Sequence, residues 1–400
     1  MKILLGTESF PPNVSGVAVA TKNLAENLSK AGHQVFVFCP GSSFTTKVDR
    51  KYENFTVLRL RSIINPFRKG YRITFAGEKE IEEHVKKIKP DLIHLQDPVS
   101  IGLMLREVGH RNHIPVAITN HFSLEYALSY VKFMSPILPI LRKGLIKYLV
   151  DFYNKCDYVL TPTETFKKQV QSWGVTTPIK AVSNGIETAP FQQKMSDEVK
   201  KGFLKKYHLP SNPLVLYLGR IDKDKSIDVL VKAIPDVIKK VNAHFIIAGS
   251  GGQLEEVKSL ASDLGISDSI TFIGFLKHDS PDFPLIYKTA SLFAIPSTIE
   301  TQSIVTLEAL SASLPVVAAN AGALPELVKD NINGYLFKPG DSKLLANHIT
   351  KILSDSKLMQ EMKKNSLQIA LHHEMSRTFA EMEKTYMDII SENKKGPAAV

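Results

Sequence analysis

The chain has 400 residues, of which 44% are hydrophobic and 22% are charged. This length predicts two domains, and this composition is typical of a globular protein and excludes a largely disordered one. No stretch approaches the ~18 uninterrupted apolar residues of a membrane span, and the N-terminal apolar run is too short for a signal peptide. The two cysteines have no metal-ligand spacing, which suits a reducing compartment. We therefore expect a cytoplasmic protein.

Positive charge is concentrated in the first half of the chain. Residues 1–190 hold 25 Lys and Arg against 16 Asp and Glu, a net of +9, whereas the remainder carries +1. A basic half can face nucleic acid, an anionic membrane surface or an anionic substrate. No nucleic-acid-binding motif accompanies the charge, so we expect no nucleic-acid partner.

Short apolar runs alternate with helical patterns through the first half. This alternation predicts a parallel sheet with helices on both faces. The predicted helices include Val17–Ala31 and Ala76–Ile88. The predicted strands are Lys2–Leu5, Gln34–Phe38, Thr56–Leu60, Leu92–Leu95, Val116–Thr119, Tyr158–Thr161 and Ile179–Val182.

A polar, proline-containing break at 188–213 separates this series from a second one. The second series predicts strands at Leu214–Leu218, His244–Ala248, Ile270–Ile273, Leu292–Pro296, Pro315–Ala319 and Gly334–Phe337. We predict an α/β protein with two doubly wound, Rossmann-like domains, residues 1–190 and 191–375, facing a cleft. A last helix over 376–394 is long enough to return to the first domain.

Two carboxylates, Glu300 and Glu308, flank a short polar loop that runs into an apolar helix. The amides of Ser303, Ile304 and Val305 then lie near the helix N-terminus, where unpaired N–H groups and the helix dipole favour a phosphate. Carboxylates accept hydrogen bonds from sugar hydroxyls. The pattern therefore indicates a nucleotide-sugar, and the alternative is that both carboxylates are merely solvated.

A second signal follows the strand that ends at Gly219. Arg220 lies at its carboxyl end and Lys225 precedes a helix, an arrangement that suits a diphosphate. Lys225 lies in a D-K-D-K run that is typical of a solvated loop, so the sequence favours Arg220. No Walker lysine motif, H-E-x-x-H or acidic metal cluster is found, so we expect no cofactor and no metal.

Further candidates follow other predicted strands. Gly16 lets the backbone approach a ligand, or only relieves a tight turn. Gly274 and Leu276 could line a base pocket through their backbone. His121 lies just beyond a strand, where an imidazole could bind a sugar or assist proton transfer, or serve only the structure.

Together these motifs resemble retaining glycosyltransferases of family 4, which have the two-domain GT-B architecture. The resemblance covers nearly the whole chain in order. The matching segments are S-G-V around residue 16, T-N-H ending at 121, N-G-I-E at 184–187, G-R-I-D-K-D-K at 219–225, F-I-G-F-L at 272–276, the two glutamates at 300 and 308, and N-G-Y-L-F at 333–337.

The resemblance implies a nucleotide-sugar donor held mainly by the C-terminal domain and an acceptor held mainly by the N-terminal one. Glu300 would contact the hydroxyls of the donor sugar, Glu308 would hold the ribose, and His121 would meet the sugar from the other domain. Arg220 and Lys225 would bind the diphosphate, together with Gly16 and the amides near residues 303–305. The resemblance also implies retention of anomeric configuration by front-face attack.

One departure from the family pattern concerns the donor. Many members read E-x-F-G where this chain reads E-T-Q-S, so Gln302 replaces an aromatic residue and Ser303 replaces a glycine. The E-T-Q sequence is most similar to bacterial transferases that place glucose on diacylglycerol. It therefore favours UDP-glucose as the donor and a lipid as the acceptor.

Two basic, apolar stretches agree with a lipid acceptor, since such segments can bind an anionic membrane surface. The alternative is a core helix with solvated lysines. Pro136 and Pro139 are expected to confine any helix to Ile140 onward. The residues concerned are Lys132, Arg142, Lys143 and Lys147 in one stretch and Phe67, Arg68, Lys69, Tyr71 and Arg72 in the other.

Three functions follow from the sequence. The favoured one is a glycosyltransferase that acts on a lipid, cytoplasmic and peripheral on the inner face of the cell membrane. The second keeps the chemistry but uses a soluble or polyprenyl-linked saccharide acceptor. The third is a nucleotide-sugar-binding protein without catalysis, against which the complete set of site residues argues.

Overall fold

A computed structural model describes residues 1–13, 15–65, 72–129 and 137–394. The basic residues Arg68, Lys69 and Lys132, with Phe67 and Tyr71, lie outside these described residues. The chain divides into two compact units. The first holds Met1–Asn184 and the C-terminal segment that begins at Ser376, and the second is Gly185–Met375.

The first unit is an eight-stranded sheet, a small hairpin and helices on both faces. Its strands are β1 (Lys2–Gly6), β2 (Gln34–Pro40), β3 (Lys47–Asp49), β4 (Thr56–Leu60), β5 (Ser62–Ile64), β6 (Arg72–Thr74), β7 (Leu92–Leu95), β8 (Val116–Thr119), β9 (Tyr158–Thr161) and β10 (Ile179–Ala181). Its helices up to residue 184 are α1 (Gly16–Lys30), α2 (Glu78–Ile88), α3 (Ser100–Arg111), α4 (Leu124–Ser129), α5 (Leu138–Asn154) and α6 (Glu164–Ser172).

The order of strands in this sheet is β10-β9-β8-β7-β1-β2-β4-β3, and all pairs are parallel except β3 with β4. Strand β2 lies on one side of β1 in the sheet, and strand β7 lies on the other side. The carboxyl ends of β1 and β7 therefore lie side by side, with Gly6 opposite Leu95. Such a reversal is where ligands bind in open parallel sheets.

Both faces of this sheet are buried, which explains why its strands are continuously apolar. Alternate residues of β1 pack into different clusters. Leu4 joins the cluster under α2, α3 and α5, whereas Ile3 and Leu5 join the cluster on the opposite face. The period of two along a strand therefore places a core on each side.

The second unit is a six-stranded, all-parallel sheet in the order β13-β12-β11-β14-β15-β16. Its strands are β11 (Leu214–Leu218), β12 (His244–Ala248), β13 (Ile270–Gly274), β14 (Leu292–Ile295), β15 (Val316–Ala319) and β16 (Gly334–Phe337). Its helices are α7 (Ala189–Gln192), α8 (Asp197–Lys206), α9 (Ile227–Ile238), α10 (Leu254–Asp263), α11 (Asp282–Thr289), α12 (Ile304–Ser311), α13 (Leu324–Leu327), α14 (Ser342–Ser354) and α15 (Ser356–His372).

The final helix, α16 (Met375–Lys394), returns to the first unit, as the sequence predicted. Its buried residues Met382, Tyr386 and Ile389 belong to one of the two cores of that unit. The Oη atom of Tyr386 lies 2.5 Å from Nδ1 of the buried His94 on β7. The helix is thus part of the first unit's interior.

One local prediction was wrong, and three short strands were not predicted. Helix α5 begins at Leu138 rather than at Ile140, because Pro139 falls in the first turn, where its missing N–H costs no helical hydrogen bond. The strands β3, β5 and β6 were not predicted, because their sequences K-V-D, S-I-I and R-I-T are short mixtures of polar and apolar residues that carry no readable periodicity.

Candidate active site

Lys225 and Glu300 form a nearly buried ion pair at the carboxyl edge of the second sheet. Nζ of Lys225 lies 2.7 Å from Oε1 of Glu300, and 13% and 12% of the two side chains are exposed. Lys225 ends a single turn of 3-10 helix after β11, and Glu300 follows β14, the neighbouring strand. The expectation that Lys225 is solvated was wrong, because this distant loop covers it.

Arg220 lies beside this pair and is more open, with 46% of its side chain exposed. Its Nη2 atom lies 2.9 Å from Oδ2 of Asp224, and its Nη1 atom pairs with Asp222. The same Oδ2 atom of Asp224 lies 3.4 Å from Nζ of Lys225. One buried carboxylate therefore holds both cations at the same edge of the sheet.

Backbone contacts fix the loop that carries Glu300. The N–H of Thr298 donates to the carbonyl of Asp224 at 2.9 Å, and the N–H of Ala323 donates to the carbonyl of Glu300 at 2.9 Å. A Cβ atom at Gly322 would lie 2.6 Å from that carbonyl, and Gly322 has φ +53°. A side chain at position 322 would therefore displace Glu300.

Glu308 is buried within α12, and both of its carboxylate oxygens have partners. Nε2 of His278 lies 3.0 Å from Oε1, and Oη of Tyr287 donates to Oε2 at 2.6 Å. Burial and the adjacent carboxylate of Glu308 raise the pKa of Tyr287 well above its usual value, which keeps it a hydrogen-bond donor. The side chain of His278 is 59% exposed and covers Glu308.

Helix α12 presents its N-terminus directly after Glu300. Ser303 is the N-cap, with φ 72° and ψ 81°, and its Oγ lies 2.8 Å from Oγ1 of Thr306. A left-handed conformation favours glycine, the residue that family 4 members often have here. The N–H groups of Ile304 and Val305 lie in the first turn, where a helix provides them no acceptor.

His121 lies in the first unit, after β8. Its Nε2 atom lies 3.0 Å from Oε1 of Gln96, which follows β7. Since an amide oxygen only accepts, Nε2 carries the proton and Nδ1 is an acceptor. Burial lowers the pKa of His121 to about 4, so the imidazole is neutral at physiological pH. Within the described residues, the buried amide nitrogens of Gln96 and Asn120 make no hydrogen bond.

The predicted glycines have different surroundings. Gly16 is the first residue of α1, and a Cβ atom there would meet no atom within 4 Å. Gly219 packs closely against Gly249, because a Cβ atom on Gly249 would lie 1.8 Å from the carbonyl oxygen of Gly219. Gly274 has φ +75°, and Leu276 is half-buried against the core of the second unit.

The second unit thus brings Lys225, Glu300 and Arg220 together, while Gly16 and His121 belong to the first unit. The sequence did not single out Asp224, which joins the two cations, or His278 and Tyr287, which hold Glu308. The partners of Glu308 come from a loop and a helix about 20 to 30 residues away, so no local spacing could indicate them. Asp224 could have been found from its place between two proposed phosphate ligands.

In the part of the chain that the structure covers, three or more His, Cys, Asp or Glu side chains are nowhere grouped so that they could hold a metal ion. Among the same residues, every helix is too short or too polar to span a bilayer.

Comparisons with known proteins identify the class. The family described as "Glycosyltransferase Family 4" matches residues 14–190, and "Glycosyl transferases group 1" matches residues 201–368. The fold is similar to that of Anabaena Alr3699/HepE in complex with UDP-glucose, at 19% identity and a TM-score of 0.76, covering 97% of this chain and 100% of that one. The fold and the site define a glycosyltransferase with GT-B architecture.

Several relatives match nearly the full length, among them the following two. An uncharacterized glycosyltransferase of Methanocaldococcus jannaschii is 31% identical over 89% of this chain and 90% of its own. The alpha-monoglucosyldiacylglycerol synthase of Streptococcus pneumoniae is 29% identical over 98% of this chain and 87% of its own. The chain belongs to glycosyltransferase family 4, which confirms the resemblance seen in its motifs.

Proposed function

We propose that the protein is a retaining hexosyltransferase that moves a hexose from a nucleotide-sugar to a membrane lipid. UDP-glucose is the favoured donor and diacylglycerol the favoured acceptor, and the transfer needs no metal ion. The observation that carries the proposal is the buried pair of Lys225 and Glu300 beside Arg220. These groups offer two cations for a diphosphate and a carboxylate for sugar hydroxyls at one sheet edge.

The cations supply the electrostatics that such a reaction requires. When the bond between the anomeric carbon and the phosphate oxygen breaks, negative charge develops on the departing diphosphate. Arg220 and Lys225 stabilise that charge, and the first-turn N–H groups of α12 add to it. Because Asp224 and Glu300 hold the two cations in place before the donor arrives, little reorganisation is needed.

Retention follows if the acceptor oxygen attacks from the face that the diphosphate leaves. The new bond forms between that oxygen and the anomeric carbon, and the proton of the acceptor passes to the departing phosphate oxygen. Glu300 orients the hexose through its hydroxyls. Glu308 binds the ribose when the exposed side chain of His278 gives up its contact with Oε1. His121, neutral and with Nδ1 as an acceptor, binds a hydroxyl of the hexose.

A lipid acceptor is supported by two observations. The Streptococcus pneumoniae relative is named for a glucosyldiacylglycerol. Helix α5 carries exposed apolar side chains among cations, with Ile140 72% exposed. Its exposed basic residues are Lys143, Lys147 and Arg142, the last of which pairs with Glu125. Such a surface suits an anionic bilayer, where each cation contributes ~1 kcal/mol.

Donor consumption by the purified protein tests the proposal. UDP-glucose, UDP-galactose, UDP-N-acetylglucosamine and GDP-mannose are each supplied with and without diacylglycerol in anionic vesicles, with and without a chelator. We expect vesicle-stimulated release of UDP from UDP-glucose that the chelator leaves unchanged, and an α-linked product by NMR. Release of the nucleotide diphosphate that is independent of vesicles but stimulated by saccharides would indicate a saccharide acceptor. Tight donor binding without any release would indicate a binding protein.

A further inference from the structure

A cavity of about 410 Å³ lies in the first unit, beside the point where the strand order reverses. It is formed by the loop after β1, the loop after β2, and the β3–β4 pair. Its lining includes Glu8, Phe10, Asp49, Arg59 and Arg72. A volume of this size holds a small head group. The site residues discussed above do not line it.

Glu8 is fixed at the side of this cavity by the start of α3. Its Oε1 atom accepts from the N–H of Ile101 at 2.7 Å and from the hydroxyl of Ser100. Its own N–H donates to Oδ2 of Asp97 at 2.9 Å. Within the described chain its Oε2 atom makes no hydrogen bond. One carboxylate oxygen is therefore held by the fold and the other is available to a ligand.

The electrostatic state of Glu8 suits an uncharged hydroxyl. Burial raises its pKa to about 7, and the nearby carboxylate of Asp97 contributes to the rise. Near neutral pH the carboxyl group can accept a hydrogen bond from a hydroxyl or donate one to it. An ordinary surface glutamate only accepts at this pH.

The mouth of the cavity is apolar and cationic. Val48 lines the cavity, Phe44 follows the lining residue Ser43, and Ile64 pairs across the hairpin with the lining residue Arg72. The three side chains are 56%, 75% and 69% exposed. Arg72 donates from Nε and Nη2 to Ser62 at 2.8 and 2.9 Å and forms no ion pair among the described residues. Exposed apolar side chains beside an uncompensated cation suit the interface of an anionic bilayer.

We propose that this cavity binds the hydroxyl-bearing head group of the acceptor lipid. Oε2 of Glu8 hydrogen-bonds to the acceptor hydroxyl, Phe44, Val48 and Ile64 contact the acyl chains, and Arg72 faces the phosphates of neighbouring lipids. Glu8 is then the residue that positions the acceptor in the lipid glycosyl transfer proposed above, on which this assignment rests. A hydrophilic saccharide would leave the apolar mouth uncovered.

The first test compares Glu8→Gln with Glu83→Gln, which replaces an exposed glutamate on α2. Transfer to dioctanoylglycerol, donor hydrolysis without acceptor, and UDP affinity are measured for each. We expect Glu8→Gln to raise the KM for dioctanoylglycerol about tenfold, because the amide nitrogen that replaces Oε2 cannot accept a hydrogen bond from the acceptor hydroxyl. Hydrolysis and UDP affinity should stay within about twofold of the wild type, as for the control.

The pH dependence of the KM for dioctanoylglycerol distinguishes direct contact between Glu8 and the acceptor from a purely structural role of Glu8. The KM for dioctanoylglycerol should change between pH 6 and pH 8 in the wild type and in Glu83→Gln, and be flat in Glu8→Gln. A second variant, Ser42→Trp, places a bulky side chain at an exposed position of the cavity lining. We expect it to lose lipid transfer while it keeps UDP affinity.

The outcomes distinguish this assignment from the proposed function. If the wild type transfers to dioctanoylglycerol and both variants keep its KM, the cavity is not the acceptor site although the enzyme acts on lipid. If the wild type transfers to saccharides alone, the lipid function fails and this assignment fails with it. A higher KM in both variants with intact donor hydrolysis supports the assignment.

Discussion

Nζ of Lys225 lies 2.7 Å from Oε1 of Glu300, although 75 residues separate them in the chain. Each is the main counter-charge of the other in a nearly buried place. Removing Lys225 leaves the carboxylate of Glu300 without its cation, which costs more than the pair itself contributes, whereas removing Glu300 leaves Lys225 with Asp224 at 3.4 Å. A bound donor can supply new partners to both, a diphosphate for the lysine and hydroxyls for the glutamate.

Glu300→Gln should cut turnover about a hundredfold and change UDP affinity far less, because UDP carries no hexose for residue 300 to contact. Steady-state turnover with the donor and calorimetric titration with UDP measure the two effects. Glu255→Gln, on the exposed start of α10, is the control. Full turnover in Glu300→Gln with the true acceptor would show that Glu300 does not contact the donor sugar.

Arg220→Ala and Lys225→Ala should both weaken donor binding and slow departure of the diphosphate. Lys225→Ala should also lower stability, because it leaves Glu300 buried without its cation, whereas the half-exposed Arg220 should cost less. Donor titration and urea unfolding of the two variants check this order. Equal losses of stability in the two variants would contradict the prediction that the less exposed Lys225 matters more for stability than Arg220.

Gly16→Trp should fold normally and fail to turn over donor. A Cβ atom at position 16 meets no atom within 4 Å, so the backbone there accepts a side chain. Thermal unfolding and donor consumption are measured together, with Gly202→Trp, at another open helical position, as the control. A fully active Gly16→Trp would show that the start of α1 does not approach the donor.

Stability should fall as the pH drops below about 6.5, the ordinary pKa of histidine. Burial lowers the pKa of His94 to about 3, and the neighbouring His121 contributes. Between these values the unfolded chain binds a proton that the native state does not, so unfolding is favoured as pH decreases. His94→Asn should flatten this slope by nearly one proton in urea unfolding at pH 7, 6 and 5. If the pH dependence of stability were unchanged in His94→Asn, His94 would not be its cause.

Glu8 should have the opposite effect on the pH dependence of stability. Its pKa is raised to about 7, so the native state keeps a proton that the unfolded state loses above pH 4.5. Stability from this group is complete below pH 4.5 and is lost as pH rises to 7, by at most about 3 kcal/mol. Glu8→Gln should therefore be more stable than the wild type at pH 8 and show no such loss. Chemical unfolding at pH 5 and pH 8, with Glu83→Gln alongside, measures the difference.

The alternation of strands and helices could be predicted from sequence because each buried strand is apolar on both faces. Most strand bounds agree within a residue, as for β11 and β12. The helix at α12 and the loop position of Glu300 could be predicted for the same reason. These features depend on neighbouring residues in the chain, which a sequence displays directly.

The environment of each site residue could not be predicted in this way. Lys225 looks solvated in its D-K-D-K run and is buried by the loop after β14. Glu8 looks like an ordinary loop carboxylate, and only the proximity of α3 and Asp97 reveals its altered ionisation. Such properties depend on which distant loops meet at a sheet edge, and local propensity does not determine that.

The return of α16 to the first unit has a consequence for biosynthesis. Tyr386 completes an interior that otherwise comes from the first 184 residues. A ribosome releases the chain from its N-terminus, so that interior stays open while the whole of Gly185–Met375 is being made. The second unit, which is continuous in sequence, can close first. Nascent chains truncated before residue 376 should therefore expose the groove for α16 and require chaperones, whereas the intervening unit should already resist proteolysis.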